Sequence, residues 1–146
     1  MLNIFIGAPA DRQDDSEAVG RFLAETGEKI ILGGTAISIF ERETGSRAEV
    51  DLTTGSEGIP PYGSIAGMMA AEATVTLAEL NRCFTAKETG NNAVSILRKK
   101  LMNTEAVRIY RGHAANRING IDKESVVSDL IANIKKSGIN PDIVDY

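Results

Sequence analysis

The residues of this chain best placed by type and spacing to do chemistry are Gly33-Gly34-Thr35, which follow the apolar residues 29–32 and precede Ile37, Ile39 and Phe40. Where a strand enters a helix through glycines, the first-turn N–H groups have no carbonyl partner. The helix dipole adds about half a positive charge there, and glycine lets an anion approach the backbone. Thr35 would supply a hydroxyl as N-cap or as ligand donor. The junction has neither the lysine of a P-loop nor the three-glycine spacing of a dinucleotide fold, so a tight turn capped by Thr35 is the competing reading.

Three further groups accompany it. Pro60 and Pro61 stiffen the segment that runs to Tyr62-Gly63, because each ring fixes φ and restricts the residue before it; the segment reads as a pocket wall or a connector. Glu72 stands with Thr74 and Thr76 in a stretch of small apolar residues, where a carboxylate is either a ligand contact or an exposed side chain. Asn116 and His113, with Arg111 and Arg117 beside them, follow a strand-like segment, at the kind of strand end where open sheets place ligands. His113 has no nucleophile or carboxylate assigned to it and reads as a surface residue, and Cys83, beside Leu80 and Phe84, reads as a small buried hydrophobe. No residue set reads as catalytic, and none as metal-binding.

Composition narrows the classes. One cysteine and one histidine supply neither a disulfide nor a multi-cysteine zinc site, and no Ser-His triad or cofactor motif stands out. A net charge of −4 argues against nucleic acid as partner, and Arg98-Lys99-Lys100 falls within a helical pattern as a solvated face. No run of about 18 apolar residues marks a membrane span, and the N-terminal residues are too few and uncharged for a signal peptide, so the expected location is cytoplasmic.

The elements that must position these groups follow from periodicity. Residues 2–6, 29–32, 48–52, 106–110 and 143–144 read as strands, with 73–76 as a further strand. Helices are predicted around Ala18, Val19, Phe22 and Leu23, closed by Gly27, and from Ile37 to the stop at Gly45. Others run over 77–84, over 92–102 and around Val126 to Ile134. Residues 53–63, with three glycines and two prolines, form the longest loop. With 146 residues and 42% hydrophobic content, this alternation predicts one α/β domain over 1–146, a mostly parallel sheet with helices on its faces in a three-layer sandwich.

The order of motifs resembles the accessory region that follows the catalytic domain in bacterial serine phosphatases of the stage II sporulation protein E family. That region carries a Gly-Pro-Pro turn with acidic residues, a Cys-Gly-Gly-Thr-Thr-Ala junction, a Pro-Pro-x-Gly loop, a Thr-Glu-Gly segment and a late Asn-Pro element. Here the matching stretches are Gly7-Ala8-Pro9 with Asp14-Asp15, Leu32-Gly33-Gly34-Thr35-Ala36, Pro60-Pro61-Tyr62-Gly63, Ala71-Glu72-Ala73 and Asn116-Arg117. The departures are Leu32 for cysteine, Ala36 for the second threonine, alanines on either side of Glu72, and Arg117 for proline. The family's metal-binding aspartates belong to the preceding domain and have no counterpart here. The resemblance thus implies association with a phosphatase catalytic domain rather than phosphatase activity.

The expectation is therefore a non-catalytic regulatory domain that binds a small anionic ligand at Gly33, Gly34 and Thr35, with Pro60, Pro61, Glu72 and Asn116 around the same cleft. Two alternatives stand beside it. One is a small enzyme acting on a phosphorylated or acyl compound through Glu72 or His113. The other is a protein-interaction module or homo-oligomer that meets its partner through Met68-Met69-Ala70-Ala71.

Overall fold

The computed structural model describes residues 1–86, 90–115, 117–118 and 120–146. Strand β1 (Leu2–Ile6) is followed by helix α1 (Asp15–Leu23), strand β2 (Glu28–Leu32) and helix α2 (Gly34–Thr44). Short strands β3 (Glu49–Val50) and β4 (Gly63–Ile65) lead to β5 (Met68–Ala71), and helices α3 (Thr74–Arg82) and α4 (Ala93–Met102) lead to β6 (Val107–Arg111). A small hairpin of β7 (Arg117–Ile118) and β8 (Ile121–Asp122) precedes helix α5 (Lys123–Lys136) and the last strand β9 (Asp142–Asp145).

The main sheet runs β3-β4-β5-β2-β1-β6-β9. Strands β5, β2, β1, β6 and β9 are mutually parallel, and β3 and β4 add an antiparallel border. Sheet-forming residues alternate between two cores, so each central strand is apolar on both faces. Leu2, Ile4, Ile6, Ile30 and Leu32 pack beneath α3, α4 and α5, while Phe5, Ile31 and Tyr110 pack beneath α1 and α2. This is the three-layer α/β sandwich. Among the described residues no helix is long and apolar enough to cross a membrane.

Several local expectations are corrected. Residues 74–76 begin α3 rather than form a strand, because Glu72 accepts hydrogen bonds from the amides of Val75 and Thr76 and fixes a helical first turn. The strand is instead Met68–Ala71, held between β2 and β4. Its Met68, Ala70 and Ala71 are buried within the sheet, so that stretch is not an open contact surface. Only Glu49 and Val50 of the segment 48–52 pair as strand, and both are exposed. Gly27 does not cap α1, which ends at Leu23 with Ala24 as C-cap, whereas Gly45 caps α2 in the left-handed conformation as its position predicts.

Candidate functional site

The chain builds the sheet outward from β1 in two directions, through β2 to β5 and then through β6 to β9. The strand order therefore reverses between β1 and β6, and open α/β sheets leave a crevice outside the carboxyl ends of the strands at that point. Here β1, β2 and β6 are each followed there by a glycine: Gly7, Gly33 and Gly112. Backbone pairing continues past the strands, with Gly7 N–H donating to Leu32 O at 3.0 Å, Gly33 N–H to Ala71 O at 2.8 Å and Ala114 N–H to Ala8 O at 3.1 Å. The crevice floor is thus hydrogen-bonded main chain, and a cavity of about 190 Å³ lies on it.

Gly33 takes φ of 114° as the N-cap of α2, a conformation glycine alone adopts readily, and it has no side chain to cap the helix. Thr35 is therefore not the N-cap; it sits in the first turn, exposed, and lines the cavity together with Gly33 and Ala36. Gly34 is exposed, with no atom near the place a Cβ would occupy. The amides of this turn have no preceding helical carbonyl and no capping side chain, so they are available to an anion.

The group that completes the site is one the motif analysis did not select. Lys123, first residue of α5, is only 2% exposed, and its Nζ donates to Gly112 O at 2.7 Å and Ala114 O at 2.6 Å. Among the described residues no carboxylate lies within ion-pair distance of it. Burial pushes its pKa below the usual lysine value, with Glu124 and Asp122 acting weakly the other way. Its stem crosses Gly7 so closely that a Cβ on that residue would lie 2.7 Å from Nζ. The sequence signal was present: Lys123 precedes Val126, Val127, Leu130 and Ile131 at helical spacing, a cation extending an apolar stripe by one turn.

The other expected residues are placed differently. Glu72 caps α3, accepting from Thr74 Oγ1 at 2.7 Å, Val75 N–H at 3.0 Å and Thr76 N–H at 3.2 Å, so the protein's own carboxylate fills that helix terminus. Pro60 and Pro61 lie in the loop between β3 and β4, with Pro61 against Gly55, and do not line the cavity. Asn116 lies outside the described residues.

His113 forms a polar cluster at the ends of β6 and β9 instead of facing the cavity. Its Nδ1 lies 3.2 Å from Glu124 Oε1 and its Nε2 lies 2.7 Å from Asp145 Oδ1, which also accepts from Arg111 Nε at 2.7 Å. The Arg111 hydrogen bond, then the His113 one, holds the Asp145 carboxyl below its ordinary value. A depressed carboxylate pKa stabilises the fold above the unfolded value, about 3.9, and that contribution disappears as pH falls through the folded pKa. Asp145→Asn is expected to lower stability by at most about 1 kcal/mol near neutral pH, because a partly exposed pair is screened by water. Thermal melts from pH 7 to 2 should show the wild-type and variant curves converging in acid; a constant gap would refute the assignment.

A larger cavity, about 550 Å³, opens at the opposite end of the sheet beside Glu28, Lys29, Gly67 and Lys100. Glu28 there already pairs with Lys100 at 2.6 Å, and no helix begins among its lining residues, so it lacks the convergent donors of the crevice. No protein-family model, curated protein or solved structure matches this chain.

Proposed function

We propose that this domain is a ligand-binding regulatory module that holds a small anion in the crevice between β1 and β6. The single observation that carries this reading is Lys123: a buried cation with two neutral carbonyls as partners, in the same cavity as the uncapped start of α2. A buried charge costs free energy unless it is compensated, and an anion at the α2 terminus would compensate it while accepting the first-turn amides. Neither Glu72 nor His113 is among the residues lining this cavity, which favours binding over proton-transfer chemistry. The resemblance to the region following the catalytic domain of stage II sporulation protein E phosphatases supports a regulatory setting, with a phosphatase catalytic domain as the partner that would read out the bound anion.

Titration calorimetry with inorganic phosphate tests this directly. Lys123→Met is expected to weaken binding about 10- to 100-fold, the value of one hydrogen bond to a charged group. Wild-type affinity should also fall as pH rises through the lowered Lys123 pKa, before the ordinary lysine range near 10.4 is reached. Unchanged phosphate affinity in the variant, or no heat and no thermal shift with phosphate, sulfate or carboxylates in the wild type, would overturn the proposal.

A further inference from the structure

The two carbonyls that hold Lys123 belong to Gly112 and Ala114, and the residue between them is His113. Its ring does not line the crevice but meets Glu124, the residue next to Lys123, with Nδ1 3.2 Å from Oε1. Residues 112–114 and the start of α5 are thus joined at adjacent positions, by a buried ammonium on two carbonyls and by a partly exposed imidazole beside a carboxylate. The other ring nitrogen, Nε2, lies 2.7 Å from Asp145 Oδ1 of β9, which Arg111 of β6 also reaches at 2.7 Å. Main-chain bonds seat the segment, with His113 N–H donating to Tyr146 O at 2.9 Å and Ala114 N–H to Ala8 O at 3.1 Å. A neutral imidazole has one N–H and can donate to only one of the two carboxylates, while its bare nitrogen opposes the other; an imidazolium donates to both. The bridge from β9 to α5 is therefore complete only with the second proton in place.

From this we infer that His113 is a positioning residue for the anion site: carrying both ring protons, it ties the residue beside Lys123 to β9 and fixes the two carbonyls on which the ammonium rests. The inference rests on the anion reading above. The charged groups around the ring are Lys123 and Glu124 of α5, Asp145 of β9 and Arg111 of β6. Glu124 puts a negative charge one residue from the cation that must receive an anion, and the imidazolium offsets that charge. An anion in the crevice and a proton on His113 therefore favour each other, and each raises the affinity for the other by the same factor. Both imidazole–carboxylate pairs are partly exposed, so the factor is about two- to fivefold, the range of solvent-screened pairs.

His113 is the chain's only histidine, so its ring signal can be followed through a pH titration by NMR without ambiguity. Sulfate is the probe, because its charge stays constant over the interval in which histidines change theirs, about pH 5 to 8, and that of phosphate does not. With saturating sulfate the midpoint of the His113 signal is expected to move up by about 0.3 to 0.7 of a pH unit, the two- to fivefold factor on a logarithmic scale. Glu124→Gln keeps the ring and removes the bridge to α5, so the move should shrink below about 0.2 of a unit; an effect of the anion's field alone would persist. His113→Gln, with no proton to gain, should bind sulfate in calorimetry with one affinity between pH 5.5 and 7, where the wild type binds more tightly at the lower value. Sulfate binding that leaves the His113 midpoint in place, a move that survives in Glu124→Gln, or a pH dependence that survives in His113→Gln removes the positioning role and leaves the anion site standing. If sulfate does not bind the wild type at any of these pH values, the anion reading falls as well.

Discussion

Replacing Gly112 with alanine is expected to remove about 4 kcal/mol or more of folding stability, the range reached when one substitution forces backbone against backbone. A Cβ there would lie 2.2 Å from Ala8 O and 2.4 Å from Gly7 O. No rotamer relieves such a clash, because both obstructing atoms belong to the chain that follows β1. The end of β6 would have to move, loosening the bond from Gly112 N–H to Ile6 O and the one from Ala114 N–H to Ala8 O. Gly112 O would leave Lys123 in the same step, so phosphate affinity should disappear with the stability. Gly34→Ala is the control, since no atom lies within 4 Å of the added methyl and alanine favours the helix by about 0.5–1 kcal/mol over glycine. Urea unfolding compares the two directly; a Gly112→Ala midpoint near the wild-type value would show that the β1 and β6 ends are not locked together.

Phe5→Ala has the second large effect, about 3–5 kcal/mol, through the cavity it opens in the core beneath α1 and α2. Phe5 is fully enclosed and sits at the centre of an aromatic cluster. Its ring centroid lies 5.3 Å from Phe22 and 5.0 Å from Phe40, both edge-on, and 5.8 Å from Tyr110 in a stacked arrangement. Truncation removes all three pairs, and the neighbours, fixed to two helices and to β6, cannot collapse into the space. The melting temperature should fall by about 10 °C, from roughly 2–4 °C per kcal/mol for a chain of this size. A fall of less than about 3 °C would mean that this core repacks. Phosphate binding by the folded fraction should persist, because Phe5 is not among the residues that line the cavity.

The three-layer architecture was legible because its signals are local. Residues 2–6 and 29–32 are apolar runs that only a sheet covered on both faces accommodates, and the helices after them carry their apolar stripes in short, glycine-bounded segments. Strand β5 was not legible. Met68-Met69-Ala70-Ala71 carries no β-branched residue, and what makes it a strand is its parallel pairing of Met69 with Ile30, a contact remote in sequence, together with a hairpin pairing of Met69 with Ser64. Thr74 and Thr76 misled in the opposite sense, since β-branched residues suggest strand until the Glu72 cap is seen. The same division holds at the site. Gly33, Gly34 and Thr35 announce themselves because strand, glycines and helix are consecutive, whereas Lys123 meets Gly33 only through the fold and Glu72 turned out to serve its own helix.

The outer borders of the sheet bear on how this domain keeps company with copies of itself. One border is β3, two residues long and opening with Glu49; the other is β9, with Asp142 at its start, Asp145 at its end and Pro141 just before it. Short length, acidic side chains and an imino acid without an N–H are the devices that discourage an additional strand from docking. Two molecules approaching rim to rim would meet along lines of two and four residues, too brief for a stable ladder between them. Growth into fibrillar stacks is thereby disfavoured even at high concentration.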